Sequence, residues 1–351
     1  MACPVQEDCP VFDPSFGLFR AALALAVLCA LAGCSGAPQT PSVGSAEGDG
    51  VTASRNRDLL AAQSNAWSAG TALPTASLAA GAGAVGNDIY VVGGVNGDGV
   101  LGLNQVYDTK KKTWSAGAPM LTPRWALATA VVDGVLYAIG GQISGGAQSN
   151  VVEAYDPSTK AWSTLAPMPT ARDSVQAAVS NGIIYVFGGY AGSRLNTVES
   201  YNPATDTWKT EAPLKVAKSF PGVGTIGAAV YVASGLGDGG NTTDNEKYTV
   251  ASNAWKTLKP APISQNASCN AVLDGRLYMA GGADASGNPL ATLESYDPKP
   301  FKTKLPPLPQ AVVGAAGATV NDQLYCFGGA SNGYPFGTGA TFYTNVQIYT
   351  P

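Results

Sequence analysis

The chain has 351 residues, of which 45% are hydrophobic and 13% charged, with a formal net charge of −4. That balance suits a globular protein with a sizeable core and excludes a charge-swollen disordered polymer. The longest basic run is Lys110-Lys111-Lys112, too short to neutralise phosphates in series, which excludes nucleic acid as a partner class. The 43 glycines and 24 prolines are spread along the chain rather than blocked, a composition of short strands joined by tight turns.

In chain order, the first element is an unbroken apolar stretch after Arg20, AALALAVLCALAG, residues 21–33. It is too short to span a bilayer comfortably and ends in small residues, as a secretory leader does. Leu31-Ala32-Gly33-Cys34 resembles the bacterial lipobox. The resemblance implies that residues 1–33 are a lipoprotein signal peptide and that Cys34 is the site of lipid attachment. It also implies an outer-membrane or cell-surface location. Residues 1–19 carry Glu7, Asp8 and Asp13 but no base, which is unlike a leader's start and points to a start further along. Residues 34–61, rich in Gly, Ser, Pro and Ala and without periodicity, read as a flexible tether.

From there the chain repeats. The blocks IYVVGG, LYAIGG, IYVFGG, VYVASG, LYMAGG and LYCFGG place tyrosines at 90, 137, 185, 231, 278 and 325, at intervals of 46 to 48 residues. Before each block runs a strand rich in small residues, and three of the turns between them, Asp133-Gly134, Asn181-Gly182 and Asp274-Gly275, have hairpin chemistry. After each block a polar loop leads to a strand ending in Tyr107, Tyr155, Tyr201, Tyr248, Tyr296 or Tyr349. Trp114, Trp162, Trp208 and Trp255 stand seven residues beyond the first four. Four antiparallel strands per period make one propeller blade. Trp67 lies one period before Trp114 without a tyrosine to complete it, while Tyr349 has no tryptophan after it. The strand around Trp67 is therefore expected to close the last blade, leaving no open edge.

The Gly-Gly doublet, the later tyrosine and the tryptophan at this spacing resemble the kelch motif. The resemblance implies an all-β, six-bladed kelch-type propeller over residues 62–351, expected to be monomeric. Three departures stand out: Ser234 for the first glycine in blade four, Thr249-Val250 for Asp-Pro, and Thr303 for the blade-five tryptophan.

Chemistry is sparse. The chain has no histidine, which removes Ser-His-Asp and Cys-His catalysis and most zinc or copper sites, so no metal or cofactor is expected. Copper radical oxidases of kelch type bind their metal through histidine. Gln105, Glu153, Glu199, Glu246, Glu294 and Gln347 sit two residues before the later tyrosine in every blade and read as structural hydrogen-bonders. Cys269 and Cys326 read as two buried thiols, with a disulfide as the alternative. The loops gathered at one end of the channel form the candidate ligand-binding face. Inter-blade loops supply Arg124, Trp125, Arg172, Asp173, Lys218, Phe220, Gln265 and Gln310; intra-blade loops add Tyr190 and Arg194, and a long insertion adds Tyr334 and Phe336. Aromatics beside bases suit a glycan, a peptide or an acidic ligand. Alternatively, Arg124, Arg172 and Lys218 recur for structural reasons. The expected function is a protein- or glycan-binding module. The alternative is a carbohydrate-processing enzyme resembling the sialic acid mutarotase type, carried by Asp173 with Arg124 and Arg172.

Overall fold

The computed structural model describes residues 65–297, 302, 304–332 and 339–351. Cys34 with the leader and tether, Thr303, Tyr334 and Phe336 lie outside the described residues. Blade one is an antiparallel sheet of Gly81–Val85, Asp88–Val92, Asn104–Asp108 and Thr113–Ala116, in that order from the axis outward. Blades two to four repeat it. Asp133 and Gly134 turn with φ of 50° and 79°, the paired positive angles of a hairpin that matches strand twist.

Small residues let the inner strands crowd the axis. A Cβ on Gly83 would lie 2.6 Å from Leu136 Cδ1, and one on Gly224 would lie 2.3 Å from Val272 Cγ2. Each inner strand packs on the next, and the sixth, Ala316–Val320, packs on the first. The Thr129 hydroxyl donates across one such seam to the Ala82 carbonyl at 2.7 Å, and Thr225 repeats this with Val179 at 2.8 Å.

Ring closure follows the tryptophan register. Ala66–Ala69 pairs antiparallel with Val346–Thr350, and Trp67 stands opposite Tyr349. The tryptophans also latch neighbouring blades. The Trp114 indole donates to Thr71 O at 2.9 Å, Trp162 to Ala118 at 2.8 Å, Trp208 to Ala166 at 2.9 Å, Trp255 to Ala212 at 2.8 Å and Trp67 to Pro306 at 2.9 Å. Each half-buries a large apolar ring between blades while its one polar atom stays satisfied.

Blade five differs from these. Among the described residues its sheet shows three strands, Cys269–Leu273, Arg276–Ala280 and Leu293–Tyr296, with a bridge between Ser295 and Lys302 beyond them. Next to it, Cys269 and Cys326 form a disulfide joining blade five to blade six, with Cα atoms 5.8 Å apart. This corrects the expectation of two free thiols. Sequence separation hid the pairing, because only the packing of one blade's inner strand on the next brings the two sulfurs together.

Candidate functional site

Three consecutive residues recur as the chain enters each blade, and each has a distinct role. The first position is Ser77, Arg124, Arg172, Lys218, Gln265 and Val312 around the ring. Its side chain, where long enough, turns back into its own blade to meet the Glu or Gln of the third strand. Arg124 reaches Glu153 at 3.2 Å, Arg172 reaches Glu199 at 2.8 Å and Lys218 reaches Glu246 at 3.2 Å, with all three cations fully buried. Arg124 also donates to the Gly140 and Val151 carbonyls at 2.8 and 2.5 Å, which ties the entering loop to its blade. Burial pulls the pKa of all three cations down, opposed by the neighbouring carboxylate. The adjacent doublet explains the close fit: a Cβ on Gly188 would lie 2.3 Å from the Lys218 carbonyl oxygen.

These findings correct part of the predicted face. Arg124, Arg172 and Lys218 are structural ion pairs, and Gln265 is equally buried, donating to Glu294 at 3.3 Å. Gln310 is not the sixth member of the set; Val312 is. Gln310 instead exchanges backbone hydrogen bonds with the Gln347 side chain, its N–H donating at 2.9 Å. The proposed catalytic set of Asp173, Arg124 and Arg172 is therefore not assembled, since of the three only Asp173 reaches the mouth.

At the second position stand Leu78, Trp125, Asp173, Ser219, Asn266 and Val313, each bridged to the first residue of the loop after its blade's Gly-Gly block, as Asp173 is to Tyr190. Ala79, Ala126, Ser174, Phe220, Ala267 and Gly314 occupy the third, all with φ between 49° and 67°. They form a closed backbone ring. The Ala79 N–H donates to Gly314 O, Gly314 to Ala267, Ala267 to Phe220, Phe220 to Ser174, Ser174 to Ala126, and Ala126 back to Ala79, at 2.8 to 3.2 Å. Left-handed backbone in a non-glycine residue costs about 1–3 kcal/mol, and here it turns every N–H onto the neighbouring blade. Phe220 is the large side chain of this ring; the other five positions hold Ala, Ser or Gly.

Above the ring lies a cavity of ≈ 420 Å³. The predicted residues Trp125, Asp173, Tyr190, Arg194 and Phe220 line it, joined by Asn241, Asn266 and Asp284, among others. One arc is apolar, built on Val313, Leu78 and Trp125. The opposite arc is polar, built on Asp173, Ser219 and Asn266. Asp173 is 4% exposed and accepts from three neutral donors: Gln142 and Gln148 amides at 3.1 Å each on Oδ2, and the Ser174 hydroxyl at 2.6 Å on Oδ1. Arg194 pairs with Asp238 at 3.4 Å. Asn266 donates to Asn241 at 2.7 Å, and Asn241 in turn to the Ala283 carbonyl at 2.8 Å. Leu78, Ser219, Asn266 and Val313 were not predicted, although the register was available: each is the repeat equivalent of Trp125 and Asp173.

The fold and the mouth define a six-bladed β-propeller with a preformed cavity at one end of its axis. Residues 58–221 match the family model described as the KLHDC2/KLHL20/DRC7 Kelch-repeats domain. Kelch repeat and BTB domain-containing protein 13 of Mus musculus is 36% identical over 103 residues, 28% of this chain and 22% of that protein. Its Homo sapiens counterpart is 38% identical over 94 residues, 26% of this chain and 20% of that one. The matched stretch thus spans about a fifth of these relatives' length. The solved structure of YjhT superposes with a TM-score of 0.67 at 18% identity, covering 80% of this chain and 97% of that one, a likeness of fold. Residues 58–221 carry the kelch-repeat match, and together these likenesses support a kelch-repeat family.

Proposed function

We propose that this chain is an exported, lipid-anchored kelch propeller whose mouth cavity binds a glycan. The observation that carries the reading is the cavity itself. At ≈ 420 Å³ it falls in the range of about 300–1,000 Å³ usual for small-ligand sites. Its lining sets aromatic and aliphatic faces opposite a carboxylate and amides, which suits a ring that is apolar on its faces and hydroxylated at its edge. Export is supported by the apolar leader ending at Cys34 and by the Cys269–Cys326 disulfide, a bond that persists in oxidising compartments. A glycan array probed with the disulfide-intact chain tests the reading. Specific binding that is lost in Tyr190→Ala and Asn266→Ala supports it; no binding, or binding that both variants retain, overturns it. Anchoring is tested separately by acyl labelling, which Cys34→Ala should abolish.

A further inference from the structure

We infer that the ligand of the mouth cavity carries a positively charged amine. The inference rests on the cavity being the binding site and adds the charge of what enters it.

The structure reverses the electrostatics that the residue types suggest. Three bases that the loops place near the mouth, Arg124, Arg172 and Lys218, are wholly buried and committed to Glu153, Glu199 and Glu246. Among the described residues, the cavity's own lining holds one cation, Arg194, already paired with Asp238. Against it stand Asp173 and Asp284. No lysine or arginine among the described residues pairs with Asp173. Its side-chain partners are two amides and a hydroxyl. A carboxylate offers about four lone-pair sites, so one remains for a ligand N–H. A buried carboxylate surrounded by neutral donors keeps a strong outward potential, because little solvent screens it. An anionic ligand would meet that potential head on.

Aromatic faces point to the same charge. Trp125, Tyr190 and Phe220 line the cavity with Asp173, and the face of an aromatic ring attracts an ammonium group. Phe220 is held at a φ of 49°, unusual for a bulky residue, at a ring position where every other blade has Ala, Ser or Gly.

An ammonium can come from an amino sugar or from a lysine side chain, and calorimetric titration of the full chain separates the sources. The probes are glucosamine, N-acetylglucosamine, glucose and Nα-acetyl-lysine methylamide. The expected result is glucosamine binding at least about tenfold more tightly than either neutral sugar, with the preference lost in Asp173→Asn and reduced in Asp284→Asn. Glucosamine and neutral sugars binding equally overturns the charge assignment and leaves glycan binding standing. Binding of the lysine amide without glucosamine keeps the charge assignment and overturns the glycan reading. No binding of either amine, or an undiminished amine preference in a folded Asp173→Asn chain, overturns the inference.

Discussion

Replacing Glu294 with glutamine is expected to stabilise the propeller by an amount that grows as pH rises from about 4.5 to about 7 and stays constant above that. Glu294 is fully buried in blade five, where the cation of blades two to four is replaced by Gln265. Its Oε2 accepts from Gln265 at 3.3 Å, whereas Oε1 has no hydrogen-bond partner. Burial pushes its pKa from 4.5 up to about 7, against a lowering contribution from the Ile263 N–H. The folded state therefore holds its proton more tightly than the unfolded chain. Its contribution is fully present below pH 4.5 and is lost as pH rises through about 7. A gap of that size corresponds to at most about 3 kcal/mol, and relaxation of the site lowers it. Urea unfolding of wild type and Glu294→Gln from pH 4.5 to 8.5 measures the effect. The variant should match wild type at the acid end and exceed it by about 1–3 kcal/mol at the alkaline end. Gln265→Lys, which would give Glu294 the kind of partner that Lys218 gives Glu246 in blade four, should gain at the same end. A pH-independent difference, or a variant less stable at pH 8.5, would refute the reasoning.

Reduction of the disulfide, or Cys269→Ser with Cys326→Ser, releases a loop of sequence separation 57 and should cost up to about 4 kcal/mol, seen as a lower melting temperature in reductant. Gly188→Ala drives a Cβ to 2.3 Å from the Lys218 carbonyl oxygen and should cost about 1–3 kcal/mol by denaturant unfolding. Ser234→Gly, at the same position of blade four, should change little, since Ser234 already sits at a φ of 56° with its hydroxyl on Ile263 O. Trp208→Phe removes the indole bond to Ala166 and should cost about 1 kcal/mol or more in the same assay.

The ring was legible because its signals are periodic. Two tyrosines recur in every blade, tryptophan in all but blade five and the doubled glycine in all but blade four, and the unpaired Trp67 and Tyr349 carried the closure. The Glu/Gln column was legible too, since one residue type at one position in six blades reads as architecture. What periodicity does not encode is where a loop side chain turns. Arg124 and Trp125 are neighbours in sequence, yet one enters the blade and the other lines the mouth, because Arg124 has a buried carboxylate within reach. That choice depends on Glu153, 29 residues away. The charged lining of the cavity was hidden for the same reason: with Arg124, Arg172 and Lys218 withdrawn into their blades, it is Asp173, Asp284 and Arg194 that line the mouth. Disulfide pairing was hidden differently, since Cys269 and Cys326 occupy different strands of their blades and meet only across a seam.

A crystal structure of the chain with glucosamine bound tests the siting and charge of the ligand together. The amine is predicted within about 3 Å of an Asp173 carboxylate oxygen, with the sugar ring against Trp125, Tyr190 or Phe220. Density for the sugar outside the mouth, or inside it with the amine turned away from Asp173, would contradict the account.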